Sequence, residues 1–272
     1  MYHSMAFNID GTIVNTYDDW KIVANPRPHI APPKQKRKTI EVPGRDGVLD
    51  LSTSLTGYPV FQNRTGTIEF TVLNRFFNPV LTYSEWYETY SKVMDFLNGK
   101  SGRCILEDDP SYEYTGVFSV ESWKTEKSYS KITIGYDLNP YKRLIQSTLG
   151  DTEWNPFGYD FSKHPQTGVF SASGNGNVVI SLSPLDIGSA PTKPVIDILS
   201  SSDSVTVTLN NGIKTISKDV KLSLTHIGQM AIYKSSVVLS DMVLVGKPTR
   251  ISVESKSDNR IVFTLIFKKG GF

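Results

Sequence analysis

Cysteine is nearly missing from this 272-residue chain. The single thiol, Cys104, excludes an intramolecular disulfide framework. It stands in Arg103-Cys104-Ile105-Leu106, which reads as a strand, and no histidine lies close in sequence to serve as its base. A small buried hydrophobe is a better reading of it than a nucleophile. Histidine is scarce as well. His3, His29, His164 and His226 are scattered, and no two have the helical spacing of metal ligands. Long apolar runs are also lacking, and Met242-Val243-Leu244-Val245 is far too short to span a bilayer. Met1-Tyr2-His3-Ser4 has neither the basic flank nor the apolar core of a signal peptide, so folding in a cytoplasm is expected. Charge of one sign is not in excess. A net charge of +2 makes no case for nucleic-acid or membrane binding.

The loops that announce common chemistries are missing too. There is no Gly-x-Ser-x-Gly elbow, no phosphate-binding Gly-x-x-x-x-Gly-Lys-Ser/Thr loop and no dinucleotide fingerprint. Glu107-Asp108-Asp109 follows a strand and precedes Pro110, so a solvated turn fits better than a metal or glycosidase site. Asp18-Asp19 beside Trp20 puts its carboxylates on opposite faces of an extended chain. No catalytic residue, metal or cofactor is expected.

What is present is a folded composition, 39% hydrophobic and 21% charged. The length suits two ordinary domains, at about 100–200 residues each. Most segments alternate polar and apolar with the period of a half-buried strand. Residues Thr67 to Val72, Ser130 to Tyr136, Ser204 to Leu209 and Arg260 to Phe267 are the clearest. Asp10-Gly11, Asp46-Gly47, Asn175-Gly176 and Asn211-Gly212 are turn signals between such runs. One segment differs. Trp86, Tyr90, Val93, Met94 and Leu97 fall on one helical face, with Thr82 and Glu85 as a capping box and Gly99 as the stop.

The fold class expected is mainly β. An N-terminal sandwich-like domain, residues 1–145, would carry one packed helix and a protruding β-ribbon arm. A C-terminal β-sandwich, residues 146–272, would follow the corner at Asn139-Pro140-Tyr141-Lys142. Its core would come from Val205, Val207 and Leu209, facing Ile261, Phe263, Leu265 and Phe267.

The arm is placed at about residues 25–44, where Pro26, Pro28, Pro32 and Pro33 exclude a central strand. Ile30, Ile40 and Val42 would flank a basic tip, Lys34-Gln35-Lys36-Arg37-Lys38. A protruding ribbon cannot bury its own apolar residues, and a neighbouring copy is one source of cover. A second candidate surface is the aromatic run containing Trp154, Phe157 and Tyr159, either a sugar-stacking platform or a linker docked on the second domain's core.

Several features in order resemble the siphophage distal tail protein family over residues 1–145. They begin with Phe7-Asn8-Ile9-Asp10-Gly11 and the Pro-rich ribbon running into Val42-Pro43-Gly44-Arg45-Asp46-Gly47-Val48-Leu49-Asp50-Leu51. Tyr58 and Asn63-Arg64 then lead into the strand from Thr67, and the helix around Trp86 to Leu97 follows. Glu107-Asp108-Asp109-Pro110 and the closing Asn139-Pro140-Tyr141-Lys142 complete the series. The resemblance implies a homo-hexameric ring at the distal tip of a virion tail, assembled in the host cytoplasm. It would contact the tail tube protein, the tail-associated and tape measure proteins, and the receptor-binding or adhesion proteins. DNA would pass through without specific binding. The ribbon would be a belt arm reaching the adjacent subunit, with Arg27, His29, Ile30, Lys34, Lys36, Arg37, Ile40 and Val42 as interface residues. The resemblance also implies a galectin-like second domain. A galectin sugar site needs a His-x-Asn-x-Arg strand and a stacking Trp, from which His226-Ile227-Gly228-Gln229 departs. The rival reading is a carbohydrate-binding module using Trp154, Phe157 and Tyr159. A third is a tail-tip hydrolase using Glu107, Asp108 or Asp109.

Overall fold

The architecture is seen in a computed structural model, and the structure describes residues 3–24, 26–74, 78–79, 83–125, 130–163, 169–227 and 230–272. The chain is mainly β and divides into two compact units. Unit 1 comprises Met1–Lys142, Trp154–Tyr159 and Phe272, and unit 2 comprises Arg143–Glu153 and Asp160–Gly271. The first crossing therefore falls at Lys142, and the chain then returns to unit 1 for the six residues from Trp154.

Unit 1 contains β1 (Met5–Ile9), β2 (Thr12–Asn15), β3 (Ile22–Ala24), β4 (Thr39–Glu41), β5 (Val48–Asp50) and β6 (Arg64–Val72). Helix α1 (Tyr83–Leu97), β7 (Lys100–Leu106), β8 (Tyr112–Thr125) and β9 (Ser130–Leu138) follow. Strand order in its main sheet is β2-β1-β7-β8-β9-β6-β3, and each of these pairings is antiparallel. The sheet curls far enough for Ala24 N–H to reach the His3 carbonyl at 3.4 Å. Asp10-Gly11 joins β1 to β2 with φ of 52° and 85°, as a tight hairpin demands.

The expected helix face is the observed one. Trp86, Val93 and Leu97 are fully buried, and Tyr90 packs beside them. The Trp86 indole N–H donates to the Lys131 carbonyl, and its ring stacks on Tyr90 at 4.9 Å. Gly99 ends the helix at φ 72°. The Thr82 half of the expected capping box lies outside the described residues. Beneath the helix, Phe118 meets Phe7 edge-on at 5.1 Å, and Trp20 meets Phe96 at 5.4 Å.

Unit 2 is a two-sheet sandwich. Strand β10 (Lys142–Leu144) spans the crossing, and unit 2 continues with β11 (Phe170–Asn175), β12 (Asn177–Leu182), β13 (Val195–Ser200), β14 (Ser204–Asn210) and β15 (Thr215–Lys221). They continue with β16 (Ser223–Ile227), β17 (Met230–Val238), β18 (Thr249–Ser255), β19 (Arg260–Ile266) and β20 (Gly270–Gly271). Helix α2 (Pro184–Ile187) is a single capped turn. One sheet runs β11-β19-β13-β17-β16 and the other β12-β18-β14-β15, while β10 pairs with β20. Val205, Val207 and Leu209 on β14 share a core with Ile261, Phe263 and Leu265 on β19, as their alternation requires. Phe267 joins them. Gly176 and Gly212, at the two Asn-Gly turns, take φ of 72° and 73°.

Phe263 is the largest fully buried side chain of this sandwich. Phe263→Ala should destabilise the unit by about 3–5 kcal/mol, through lost transfer energy plus a cavity. Urea titration followed by circular dichroism should show the loss, and an unchanged midpoint would contradict the packing described.

Candidate assembly interface

The β4–β5 ribbon pairs apart from the main sheet of unit 1. Backbone bonds from Lys36 N–H to the Val60 carbonyl and from Gln62 N–H to the Lys34 carbonyl open the ladder. β4 and β5 then pair, and the Arg45 N–H to Val42 carbonyl bond closes the tip. Gly44 and Gly47 supply the positive φ the tip needs, at 78° and 75°. The arm therefore spans about residues 32–62, longer than the 25–44 expected. Its tip is Val42 to Gly47, and the basic run lies on the outgoing strand instead.

Ile30 is corrected more sharply. It is buried in the core of unit 1, as is Pro28 beside it, so both belong to the root of the arm. Arg27 is also at the root, where its guanidinium pairs with Asp108 at 3.1 Å. His29, Lys34, Lys36, Arg37, Ile40 and Val42 are exposed. Val48 and Leu55 join them, and Leu55 is 100% exposed. An open groove of about 390 Å³ runs between the basic strand and the 51–56 loop, walled by Lys36, Arg37, Leu51, Leu55 and Val60. Exposed Ile, Val and Leu on a thin ribbon are an unsatisfied apolar surface.

The root is fixed by polar contacts. Arg64, 4% exposed, donates from Nε to the Pro140 carbonyl at 2.9 Å and from one terminal nitrogen to the Ala31 carbonyl at 3.2 Å. Its other terminal nitrogen is buried and has no hydrogen-bond partner among the described residues. Burial makes this charge costly and lowers the guanidinium pKa from its ordinary value. The Tyr114 ring lies 5.6 Å below the cation and offsets part of that cost. Ala31 N–H donates to the Tyr136 hydroxyl. Gly66 makes room for that ring, since a Cβ there would stand 2.5 Å from the Tyr136 oxygen.

The carboxylates that suggested a hydrolase are structural ties. Glu107 accepts from the Ser4 backbone and hydroxyl, at 3.0 and 2.7 Å. Asp108 binds His3 and Arg27, and Asp109 binds Lys142 at 2.6 Å. One turn thus holds the N-terminal strand, the arm's root and the exit corner. Among the described residues no three His, Cys, Asp or Glu side chains are placed to hold a metal ion. His164 lies outside the described residues. Cys104 is fully buried, and burial first, then the Glu113 charge, pushes its thiol pKa well up, away from reactivity.

The aromatic platform is corrected as well. Trp154 is buried in unit 1, not docked on the second domain's core. Its indole N–H donates to Glu113 at 2.7 Å, and the Arg103 guanidinium lies 5.7 Å from its ring. Phe157 and Tyr159 are half-buried, and Trp154 offers a sugar no open face. Unit 2 contains no tryptophan.

The architecture is thus a curled antiparallel sheet carrying a projecting ribbon, with a β-sandwich beside it in the chain. No family model matches the sequence, and no curated protein matches it. Among solved structures the chain is similar to the crystal structure of the SPP1 Dit (gp 19.1) protein, described as a paradigm of hub adsorption apparatus in Gram-positive infecting phages. The two share 14% identity at a TM-score of 0.55, over 98% of this chain and 100% of that one. At this identity the likeness shows a shared fold, and it extends well past residues 1–145.

Tyr114 beneath Arg64 gives a pH-dependent test. Its ordinary pKa of 10.0 is pushed up to about 12, first by burial, with Arg64 pulling the other way. The neutral phenol is favoured by folding, so its contribution is whole below pH 10 and is lost as pH rises towards 12. Tyr114→Phe keeps the ring under Arg64 and removes the titration. Its unfolding midpoint should decline less between pH 10 and 12 than the parent's. Parallel declines would place the alkaline loss elsewhere.

Proposed function

We propose that this chain is a structural hub of a phage tail tip. Six copies form a ring that joins the end of the tail tube to the tip and host-adhesion proteins, with DNA passing along the axis. Fold likeness along 98% of the chain to a protein described as a hub of an adsorption apparatus carries this reading. The arm supports it, because Ile40, Val48 and Leu55 are exposed on a ribbon that a neighbouring copy would cover. A head-to-tail contact of this kind closes into a ring when its rotation divides a full turn. The tail tube protein, the tape measure and tail-associated proteins and the adhesion proteins are the expected partners, and the distal virion tail is the expected place. The role is mechanical, and the carboxylates of the 107–109 turn serve the frame. The galectin-like description of unit 2 belongs to the same proposal, with partner docking as its use. The carbohydrate-binding alternative loses support because Trp154 is buried.

Two measurements test this. Light scattering and negative-stain microscopy across a concentration series, with and without the tube partner, should show a ring with a hole. Monomer under all these conditions refutes the ring. Replacing residues 34–60 by a short glycine linker should leave the unit 1 core folded, because Pro28, Ile30 and Arg64 remain in place. Rings should then be lost, and a shortened chain that still assembles normally would exclude the arm from the contact.

A further inference from the structure

A cleft of about 420 Å³ opens beside β2, lined by Asn15, Tyr17, Asp18, Glu107 and Phe157, among others. Two carboxylates and two aromatic rings in one cleft are a setting for an ammonium or guanidinium group. The Asp18 carboxylate makes no hydrogen bond or ion pair among the described residues. Glu107 spends one oxygen, Oε2, on both of its bonds to Ser4. The cation nearest in sequence, Lys21, directs its Nζ to the Asp18 backbone carbonyl and lies 6.0 Å from the Tyr17 ring. That leaves the side chain of Asp18 for another charge. Asp19, by contrast, is committed to the Asn15 N–H at 2.7 Å.

The arm supplies such charges in a regular array. Lys34 and Lys36 each bond through their backbones to the returning strand, and Lys38 continues the ladder to Leu51. Alternate residues of an extended strand share a face, so Lys34, Lys36 and Lys38 form one exposed lysine row. Ile40 extends the same face with an apolar group, and Ile13 is exposed on β2 beside the cleft-lining Asn15.

We propose that the lysine row of one copy's arm docks at the Asp18–Glu107 cleft of a second copy, seating one ammonium group between the carboxylates and the Tyr17 and Phe157 rings. This rests on the ring reading above and assigns its charged contact. Donor and receptor are different surfaces of one chain, as a head-to-tail contact requires. Exposed ion pairs are screened by salt, so the contact weakens as ionic strength rises.

Charge reversal tests the pairing in the full-length chain. Asp18→Lys alone, and Lys34→Glu with Lys36→Glu and Lys38→Glu, should each raise the concentration for half-assembly by about tenfold or more. All four changes together should restore most of it. These side chains are exposed, so thermal unfolding should match the parent, which separates lost contact from lost fold. Parent rings that are insensitive to Asp18→Lys and to salt would overturn the docking site while leaving the ring intact. Two defective reversals whose combination stays defective would overturn the direct pairing. No assembly of the parent chain, alone or on its tube partner, would overturn the ring reading and this site with it.

Discussion

Arg64 is the constraint on which the arm depends. A buried guanidinium is expensive unless its donors are met, and here two of them bind carbonyls from distant parts of unit 1. Ala31 begins the arm and Pro140 closes the domain, so one side chain fixes where the ribbon leaves and where the chain exits. Removing it would strand two carbonyls near the core, each at a cost of about 1–3 kcal/mol. The position of Arg64 is itself held by the Tyr114 ring on one side. Tyr136 holds Ala31 from the other direction, in space that only glycine at 66 allows. Apolar packing makes unit 1 stable, but this polar joint gives the arm a definite direction.

The 107–109 turn extends the same logic to the surface. Its three carboxylates face three different partners, which is why their adjacency in sequence creates no acid–base pair. A catalytic pair would need a shared target, and these point to Ser4, to His3 with Arg27, and to Lys142. Each tie is partly solvated and individually modest. Together they draw the N-terminal strand, the arm's root and the exit corner onto one loop.

Much of this frame was legible in the sequence wherever a pattern repeats. Period-2 alternation located β6, β9, β14 and β19, and an i, i+4, i+7 pattern located α1. The four Gly turns stand where they were expected because positive φ leaves a chemical mark. The arm was legible in kind and misplaced in extent. Its return path through Ser52 to Tyr58 has no periodicity, and backbone bonds such as Lys36 to Val60 leave no trace in side-chain type. Proline and charge drew attention to Lys34–Lys38 as the tip, although Pro43-Gly44 and Asp46-Gly47 hold the turn chemistry. Ile30 between prolines gave no sign of burial, since the core it joins is gathered from strands and a helix along the whole of unit 1. Trp154 advertised burial by its size, but its partner Glu113 is 41 residues away and could not be read from spacing. The cleft beside β2 was equally hidden, being assembled from four separated segments of chain.

The lysine row also decides which assemblies are disfavoured. Two arms brought together about a two-fold axis would set Lys34, Lys36 and Lys38 of one against the same residues of the other. Like charges placed directly opposite across paired strands repel, and lysine on an exposed edge blocks strand addition. The apolar groups at Ile40, Val48 and Leu55 would otherwise favour such a dead-end dimer. Carrying charge beside apolar groups on the same ribbon therefore works against two-fold pairing of arms, while leaving the apolar groups open to a surface of opposite charge.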